Sequence, residues 1–362
     1  MRILLLGEYS NVHATLAEGL RALGHKVTVA SNGDFWKDYP RDIDLARTPN
    51  HWGGIRLMAK VASLLPRFRN YDVVQLINPM FLELKAQRLS PIYRYLRKHN
   101  KKMFLGAFGM DYYWVNECTT RKHLRYSDFN IGSQLRTNPE AVKEQEDWLG
   151  TEKERLNRLI ADDCDGIIAG LYEYWTCYEP NFPDKTTYIP FPIKPATNIA
   201  TDNHQKVRIF IGINRERSAY KGTDIMLEAA QEVLRRYPEH MELVIAESVP
   251  FSKYTLMMDT SDAILDQLYA YTPSMNSLEA LKKGIICIGG GEPENYQIIN
   301  ETELRPIINV EPTKESVIKE MEQLVLHPER IPQLRQQSIE YINRHHDYLK
   351  VAQRYLDFWN SR

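Results

Sequence analysis

The sequence MRILLLGEYSNVHATLAEGLRALGHKVTVA, residues 1–30, contains two short apolar runs separated by an amphipathic stretch, and this pattern indicates the fold class. The first run, residues 2–6, stops at Gly7 and is typical of a buried parallel strand. The second run, Lys26–Ala30, predicts another strand. Between them, small and apolar residues fall on one face of a predicted helix that stops at Gly24: Leu16, Gly19, Leu20 and Leu23. Strand, helix and strand in this order predict a βαβ unit.

The turn after the first strand lacks the glycine pattern of dinucleotide-binding proteins. Gly7 is followed by Glu8, Tyr9, Ser10 and Asn11, so no GxGxxG sequence is formed. In dehydrogenases those glycines let the backbone approach a pyrophosphate closely. The turn therefore argues against a dinucleotide-binding dehydrogenase.

The alternation of strands and helices continues along the chain and restarts in its second half. Apolar runs predict further strands in the first half at Val73–Ile77, Met103–Ala107 and Ile167–Ala169, the last taken as the final strand of that half. In the second half they predict strands at Val207–Ile211, Glu242–Ala246, Ala263–Leu265 and Ile285–Ile288. Helical spacing predicts helices at Asp224–Tyr237, Ser277–Lys283, Glu315–Val325, Ile331–Tyr341 and Tyr348–Trp359.

A proline-containing segment, Ile189–Asn203, predicts a linker between the two halves. With 362 residues the chain is too long for one ordinary core and suits two domains. We therefore expect an α/β chain of two Rossmann-like, doubly wound domains facing a cleft. The expected ranges are 1–195 for an N-terminal acceptor domain and 196–344 for a C-terminal donor domain. The apolar stripe of the last helix predicts that residues 345–362 pack back on the first domain.

Composition limits the classes of partner. Hydrophobic residues make up 43% and the formal net charge is −1, so bulk charge argues neither for nucleic acid nor for an anionic surface. The four cysteines form no CxxC pair and have no histidine cluster at zinc spacing, which argues against disulfides and a structural metal. The apolar run at the start is too short for a signal peptide, and no stretch reaches the length of a membrane span. These features predict a cytoplasmic protein.

Two constellations of residues in the second half are candidates for binding a ligand. The first, Gly212–Arg217 followed by Lys221–Asp224, puts Arg215, Arg217 and Lys221 between a strand and the start of a helix. Cationic side chains beside the free N–H groups of a helix start suit a phosphate. The alternative is a solvated charged loop in which Asp224 caps the helix.

The second constellation runs from Ser274 to Gly284 and then, after a strand, through Gly289–Glu294. A short helix starts in this segment, and a glycine run follows the next strand. Glycine lets a ligand come close to the backbone. Glycine-rich strand-to-helix loops are also common without any ligand.

Taken in order, the two constellations resemble the donor-binding half of retaining glycosyltransferases of the two-Rossmann, or GT-B, type, in the large group called family 4. The family tends to show a basic residue after the first strand of this domain, a Lys-Gly pair, an Asp-led strand and a Glu-Ala helix that ends in Gly. Here these are Arg215 or Arg217, Lys221-Gly222, Asp262, Glu279-Ala280 and Gly284. Tyr271 stands where the family often has a Glu that contacts the donor sugar, and Ser274 replaces the usual glycine.

The resemblance implies a set of donor-binding residues and a reaction. The basic pair would hold the donor diphosphate and Glu279 would bind the ribose hydroxyls. The full donor set is Arg215, Arg217, Lys221, Tyr271, Asn276, Ser277 and Glu279. The implied reaction is a retaining, metal-independent sugar transfer from a nucleotide sugar to a glycan or lipid-linked acceptor, with no separate cofactor. From the residues alone, Asn276 and Glu279 also fit a helix-capping pair.

The first half is expected to hold the acceptor in loops that follow its strands. Ser10 and Asn11 are the candidate acceptor-binding residues, and His13 and Asp111 are the candidate catalytic residues. A capping or surface histidine and a turn-capping aspartate are the alternatives for the last two. The segment Trp52-Gly53-Gly54 is a further candidate loop.

Other functions remain open at this point. A GT-B relative that acts on nucleotide sugars, such as an epimerase or hydrolase, fits the same pattern, and so does a catalytically silent nucleotide- or glycan-binding subunit. Basic residues of the first half, among them Lys60, Arg67 and Arg69, alternate with apolar ones and suit either peripheral docking on anionic lipid or a solvated helix face.

Overall fold

The computed structural model describes residues 1–196 and 205–362, which divide into two compact units. Unit 1 comprises residues 1–120, 144–192 and 348–362, and unit 2 comprises residues 121–143 and 193–347. The predicted linker lies outside the described residues from residue 197 to its end. Among the described residues, no helix is long and apolar enough to cross a membrane.

The strands are short and apolar. In the first half they are β1 (Arg2–Leu6), β2 (Lys26–Ser31), β3 (Ile43–Asp44), β4 (Val73–Leu76), β5 (Lys102–Ala107), β6 (Asn130–Ile131), β7 (Gln134–Leu135), β8 (Gly166–Ala169) and β9 (Thr186–Tyr188). In the second half they are β10 (Val207–Ile213), β11 (Met241–Glu247), β12 (Ala263–Leu265), β13 (Ile286–Gly289) and β14 (Ile307–Asn309).

The helices connect these strands. In the first half they are α1 (Val12–Ala22), α2 (Gly53–Leu64), α3 (Ala86–His99), α4 (Tyr112–Thr119), α5 (Pro139–Trp148), α6 (Glu152–Asp163) and α7 (Tyr172–Tyr178). In the second half they are α8 (Ser218–Lys221), α9 (Thr223–Arg236), α10 (Phe251–Asp259), α11 (Met275–Leu281), α12 (Pro293–Ile298), α13 (Lys314–Leu326), α14 (Ile331–Tyr341) and α15 (Tyr348–Ser361). A π-helical turn, Ile342–His346, follows α14.

Unit 1 contains a parallel sheet in the order β3-β2-β1-β4-β5-β8-β9. Its central strand β1 is buried from Ile3 to Leu6, which explains the uninterrupted apolar run in the sequence. The strand order reverses between β1 and β4. Ligands of open α/β sheets bind at such a reversal, outside the carboxyl ends of the strands.

Unit 2 contains a second parallel sheet, in the order β11-β10-β12-β13-β14, which reverses between β10 and β12. Helix α9 packs against it through residues spaced three and four apart: Met226, Ala229, Ala230 and Val233. Both sheets are Rossmann-like, as the sequence predicts.

The final helix packs within unit 1. A side chain at Gly19 of α1 would lie 2.6 Å from the Tyr348 carbonyl and 2.9 Å from Ala352, so α1 and α15 are in close contact. Trp359 is fully buried, near Phe104, and its indole N–H lies 3.4 Å from the Gln75 side-chain oxygen.

Two features differ from the sequence-based expectation. β8 is followed by β9, so the strand at residues 166–169 is not the last of the first half; β9 has only three residues, two of them threonine, and carries no apolar run. Residues 121–143, predicted within the first domain, cluster with unit 2. Of the apolar residues interleaved with the basic ones at 57–68, Leu57, Val61 and Phe68 are buried, and Leu64 and Leu65 are half-buried.

Candidate functional site

Three loops of unit 2 follow the carboxyl ends of β10, β12 and β13 and form the edge where its sheet reverses. They are residues 214–222, 266–274 and 290–292. The first two are tied together, because the Leu268 N–H donates to the Lys221 carbonyl at 3.0 Å. We call this edge the donor edge, after the ligand expected from the sequence.

The loop after β10 is shaped by its own hydrogen bonds and by one glycine. The Asn214 side chain accepts from the Glu216 N–H at 3.1 Å and starts a 3₁₀ turn over Arg215–Arg217. Gly222 joins α8 to α9 with a φ of 73°, and a side chain there would lie 2.5 Å from Leu268 Cβ. Only glycine fits both restrictions. The start of α9 is therefore fixed at the donor edge.

The structure separates the three predicted basic residues. Arg215 is exposed and pairs with Glu247 at the end of β11, with one N–O distance of 3.1 Å. The Arg217 guanidinium lies 5.3 Å from the centre of the Tyr220 ring, and Lys221 ends α8. Arg217 and Lys221 therefore remain the basic pair at the start of α9.

The loop after β12 contains Tyr271, which is almost fully buried. Its hydroxyl accepts the Arg125 N–H at 2.7 Å, and its ring centre lies 4.8 Å from that of Tyr126. Burial raises the pKa of Tyr271 to about 12, so the phenol is protonated. This hydroxyl therefore binds the backbone of residues 121–143 to the loop after β12.

The residues of α11 are held in different ways. The Asn276 side-chain oxygen accepts from the Tyr254 hydroxyl at 3.1 Å, and the buried Ser277 hydroxyl accepts from the Cys287 thiol at 3.1 Å. Glu279 is about a third exposed and pairs with Lys282 at 2.5 Å. The helix is preceded by Ser274 and has no side-chain cap, which removes the capping interpretation of Asn276 and Glu279.

Asp262, at the opposite end of β12, has a structural position. Its carboxylate accepts the Arg208 N–H at 2.8 Å and pairs with Arg335 at 2.5 Å. Because it lies at the amino end of the strand, it is away from the donor edge.

The glycine run after β13 brings backbone close to the neighbouring loop. A side chain at Gly290 would lie 2.5 Å from the Ala270 carbonyl oxygen. Glu292, which follows, is buried and accepts from the Tyr126 hydroxyl at 2.5 Å and from the Asn309 amide at 3.1 Å. Its carboxylate also pairs with Arg125 at 2.6 Å. Glu292 lies within the second sequence constellation but was not among the residues selected from it.

Residues 121–143, which we call the strap, lie across all three loops. Arg125 and Tyr126 contact the loops after β12 and β13 as described above. Arg136 reaches the first loop, where it donates to the carbonyls of Ala219 at 2.5 Å and Tyr220 at 2.9 Å. Its guanidinium also lies 3.7 Å from the centre of the Tyr269 ring. No pattern in residues 121–143 indicates this position, because the contacts join residues 83 to 169 positions apart.

In unit 1, the two acceptor candidates lie in the turn after β1. Ser10 and Asn11 both have left-handed backbone, with φ of 52° and 71°. The Ser10 N–H donates to Asp34 at 2.9 Å, and its hydroxyl lies 3.3 Å from the Lys37 ammonium. The turn is therefore fixed in an uncommon conformation that opens α1.

The two catalytic candidates of unit 1 are buried. One ring nitrogen of His13, Nδ1, lies 2.8 Å from the Gly7 carbonyl, and burial lowers the pKa of His13 to about 4, so the imidazole is neutral. Asp111 caps α4 by accepting the Trp114 N–H at 2.9 Å, and it accepts from the Tyr178 hydroxyl at 2.8 Å. Burial raises the pKa of Asp111 to about 7. Trp52 is exposed and lies just before α2.

A cavity of about 350 Å³ lies at the carboxyl ends of β1, β2 and β4, where the sheet of unit 1 reverses. Its lining combines aromatic and polar side chains: Glu8, Tyr9, Asn32, Phe35, Asn78 and Trp148. Glu8 accepts the N–H groups of His13 at 3.3 Å and Ala14 at 2.8 Å, and burial raises its pKa to about 8. None of these six residues was selected from the sequence, because their convergence depends on three separate strand ends.

No protein-family model matches the chain, and no curated protein matches it in sequence. Sucrose-phosphate synthase from Thermosynechococcus elongatus has a similar structure, with 11% identity over 100% of this chain and 99% of its own, and a TM-score of 0.65. HepE of Anabaena, solved with UDP and glucose, has 11% identity over 100% of both chains and a TM-score of 0.63. The chain has the GT-B fold.

A third solved structure of this GT-B fold has a different activity. UDP-GlcNAc 2-epimerase from Neisseria meningitidis, bound to UDP-GlcNAc, has 11% identity over 100% of both chains and a TM-score of 0.54. These likenesses confirm the predicted fold of two Rossmann-like units. Identity at this level extends to the fold alone.

Proposed function

We propose that this GT-B chain transfers a sugar from a nucleoside-diphosphate sugar to a glycan or lipid-linked acceptor. The observation that carries the proposal is the donor edge, where Arg217 and Lys221 stand beside the start of α9. Three parallel strands end at this edge, and its glycines permit close approach of a ligand to backbone. Two solved structures with the same fold support the proposal: HepE, which was solved with UDP-glucose, and sucrose-phosphate synthase.

In this proposal the diphosphate of the donor binds at Arg217, Lys221 and the first N–H groups of α9. Helix starts carry partial positive charge and free donors, so they favour phosphate. Glu279 accepts hydrogen bonds from the ribose hydroxyls. Its partner Lys282 does not prevent this, because a partly exposed ion pair contributes only about 0–1 kcal/mol.

The proposed reaction is a transfer with retention. The bond between the anomeric carbon and the diphosphate oxygen breaks, and the acceptor oxygen bonds to the same face of that carbon. The acceptor proton passes to the leaving phosphate. Fixed positive charge aimed at the leaving group lowers the barrier, since the charge develops as the bond breaks. Arg217 and Lys221 would supply that charge in place of a metal ion.

The cavity of unit 1 is the proposed acceptor site. Aromatic walls suit the apolar faces of a sugar ring, and side chains such as Asn32, Asn78 and Glu8 offer hydrogen bonds to hydroxyls. Ser10 and Asn11 shape the turn that leads from this cavity into α1. His13, held neutral by burial, can accept a hydrogen bond but carries no charge into the site.

A nucleotide-sugar epimerase is the second candidate, favoured by two epimerases among the solved structures with this fold. Incubation of the protein with UDP-GlcNAc and no acceptor separates the two: an epimerase converts the sugar to its epimer, and a transferase leaves its configuration unchanged.

Titration calorimetry with UDP tests the donor edge. Lys221→Ala should weaken UDP binding by about 10- to 100-fold, because a charge-assisted contact to phosphate is lost. Lys319→Ala, which removes an exposed lysine from α13 of the same unit, is the matched control and should bind like the parent. Equal affinity in parent and Lys221→Ala would remove this cluster from the site.

A further inference from the structure

Asp266 is the first residue after β12, where the sheet of unit 2 reverses. Its backbone N–H donates to the Ile288 carbonyl at 3.1 Å, so it still follows the pairing of β12 with β13. A side chain at Gly289, the last residue of β13, would lie 3.6 Å from the Asp266 Cβ atom. The Asp266 side chain therefore lies at the carboxyl ends of both strands, within the donor edge.

This side chain belongs to the face of the sheet that α10 and α11 cover. Ile264, two residues earlier, is part of an apolar cluster with Met258 of α10 and Ala280 of α11. Side chains two positions apart in a strand point to the same face. Asp266 therefore places a carboxylate at the edge of this cluster. The hydroxyl of Ser274, which immediately precedes α11, donates to its Oδ2 atom at 2.7 Å.

Only one of the two carboxylate oxygens of Asp266 is used within the described part of the chain. Oδ2 accepts from Ser274, whereas no described residue donates to Oδ1 and no described cationic side chain pairs with the carboxylate. Asp266 is 8% exposed, so the carboxylate has lost most of its hydration and still reaches the surface at the donor edge. Polar atoms in such positions normally have a hydrogen-bond partner, because losing hydration without one is unfavourable. The open oxygen therefore points to a ligand that supplies the missing donor.

We propose that the open oxygen of Asp266 binds a hydroxyl group of the nucleotide-sugar donor, and that Asp266 selects donors that carry this hydroxyl. This inference rests on the proposed function. The diphosphate is not the partner, because two negative charges in contact repel each other. The hydroxyls of the ribose and of the transferred sugar are uncharged donors, and a charged acceptor strengthens the hydrogen bond that each can make.

Titration calorimetry of Asp266→Asn with three ligands tests the inference: UDP-glucose, UDP and 2′,3′-dideoxy-UDP. Asparagine keeps the size of the side chain and an oxygen for Ser274, and it removes the charge. The variant should bind UDP-glucose about tenfold less tightly than the parent, because a charged acceptor for a hydroxyl is replaced by a neutral one. Affinity for UDP-glucose equal to that of the parent would overturn the inference.

The three ligands distinguish the two sources of the hydroxyl. If the transferred sugar carries it, the variant loses affinity for UDP-glucose and keeps its affinity for UDP. If the ribose carries it, the variant loses affinity for UDP-glucose and UDP but not for 2′,3′-dideoxy-UDP. A loss of the same size for all three ligands would mean that Asp266 contacts no hydroxyl, which contradicts the inference.

Ser274→Ala is the matched control for a purely structural role. It removes the hydrogen bond to Oδ2 and leaves the charge and the open oxygen of Asp266 in place. We expect this variant to lose less than about threefold in affinity for UDP-glucose. If Asp266 only fixes the start of α11 through Ser274, both variants should lose affinity equally, and the hydroxyl assignment would then be wrong.

A measurement on the parent keeps the test independent of the stability of any variant. Carbodiimide labelling of carboxylates, followed by mass spectrometry, should modify Asp266 in the free chain, and saturating UDP-glucose should protect it. Glu315, an exposed residue of α13 in the same unit, should be labelled equally with and without the ligand. Equal labelling of Asp266 in both conditions, or none in the free chain, would refute an open oxygen that the donor covers.

The inference and the proposed function fail in different ways. If the parent binds UDP and Lys221→Ala does not, but Asp266→Asn binds all three ligands like the parent, the donor edge stands and Asp266 has no part in it. If the parent binds neither UDP nor UDP-glucose, the proposed function is wrong at this edge, and the assignment of Asp266 is wrong with it.

Discussion

Asp111→Asn separates a structural from a catalytic role for the most buried carboxylate selected from the sequence. Asp111 caps α4 through one oxygen and accepts from Tyr178 through the other. Asparagine caps helices as well as aspartate does, so the first bond survives. The second is exchanged for an amide N–H facing a hydroxyl that already accepts from Asn157 at 3.0 Å. At pH 5 the raised pKa keeps the parent carboxyl protonated as well, so it also presents a proton to Tyr178, and we expect the two proteins to differ by no more than about 1 kcal/mol.

The pH dependence gives the sharper signature. Burial raises the pKa of Asp111 from 3.8 to about 7, so the folded chain holds this proton more tightly than the unfolded chain. Its contribution to stability is complete below the unfolded pKa and is lost as the pH rises through the folded pKa. Integrating between pH 5 and pH 8 gives a loss of about 2.5 kcal/mol in the parent that the uncharged variant does not suffer. The variant should therefore match or exceed the parent at pH 8.

Urea unfolding at pH 5 and pH 8, followed by tryptophan fluorescence, measures this difference. Other buried groups also titrate in this range: the raised pKa of Glu8 lowers stability as the pH rises, and the lowered pKa of His13 acts in the opposite direction. Both are present in parent and variant, so they cancel in the comparison. Parallel stability changes in the two proteins would refute the reasoning. A variant as stable as the parent at both pH values but unable to transfer sugar would assign Asp111 to the substrate.

Two further predictions concern the final helix and the donor edge. Trp359→Ala should lower the free energy of unfolding by about 3–5 kcal/mol, because it leaves a large cavity against Phe104 in unit 1. Thermal unfolding of the variant that matches the parent would show that α15 does not stabilise this unit. Glu279→Gln should unfold like the parent, since the ion pair of Glu279 with Lys282 is partly exposed, and calorimetry should show that it binds UDP about tenfold less tightly. Unchanged affinity would contradict the ribose assignment.

Apolar runs and helical spacing were enough to predict the fold class and the positions of most of the longer elements. Parallel strands that are buried on both faces are nearly continuous apolar runs, so residues 2–6 and 207–211 predict β1 and β10 from the sequence alone. Helix α14 has the bounds that its spacing predicts. The edge strands β9 and β14 were not predicted, because each has only three residues with polar ones among them, whereas the equally short β12 is entirely apolar.

The tertiary structure alone decided which side chains meet at the donor edge. Arg215, Arg217 and Lys221 are equivalent as a charge pattern, yet in the structure Arg215 pairs with Glu247, Arg217 lies over Tyr220 and Lys221 ends α8. The strap could not be read from the sequence, since Arg125 and Glu292 are 167 positions apart and neither belongs to a periodic element at the point of contact. Periodicity reports which face of an element is buried. It carries no information on which distant loop supplies the partner, and that choice is made by the chain's topology.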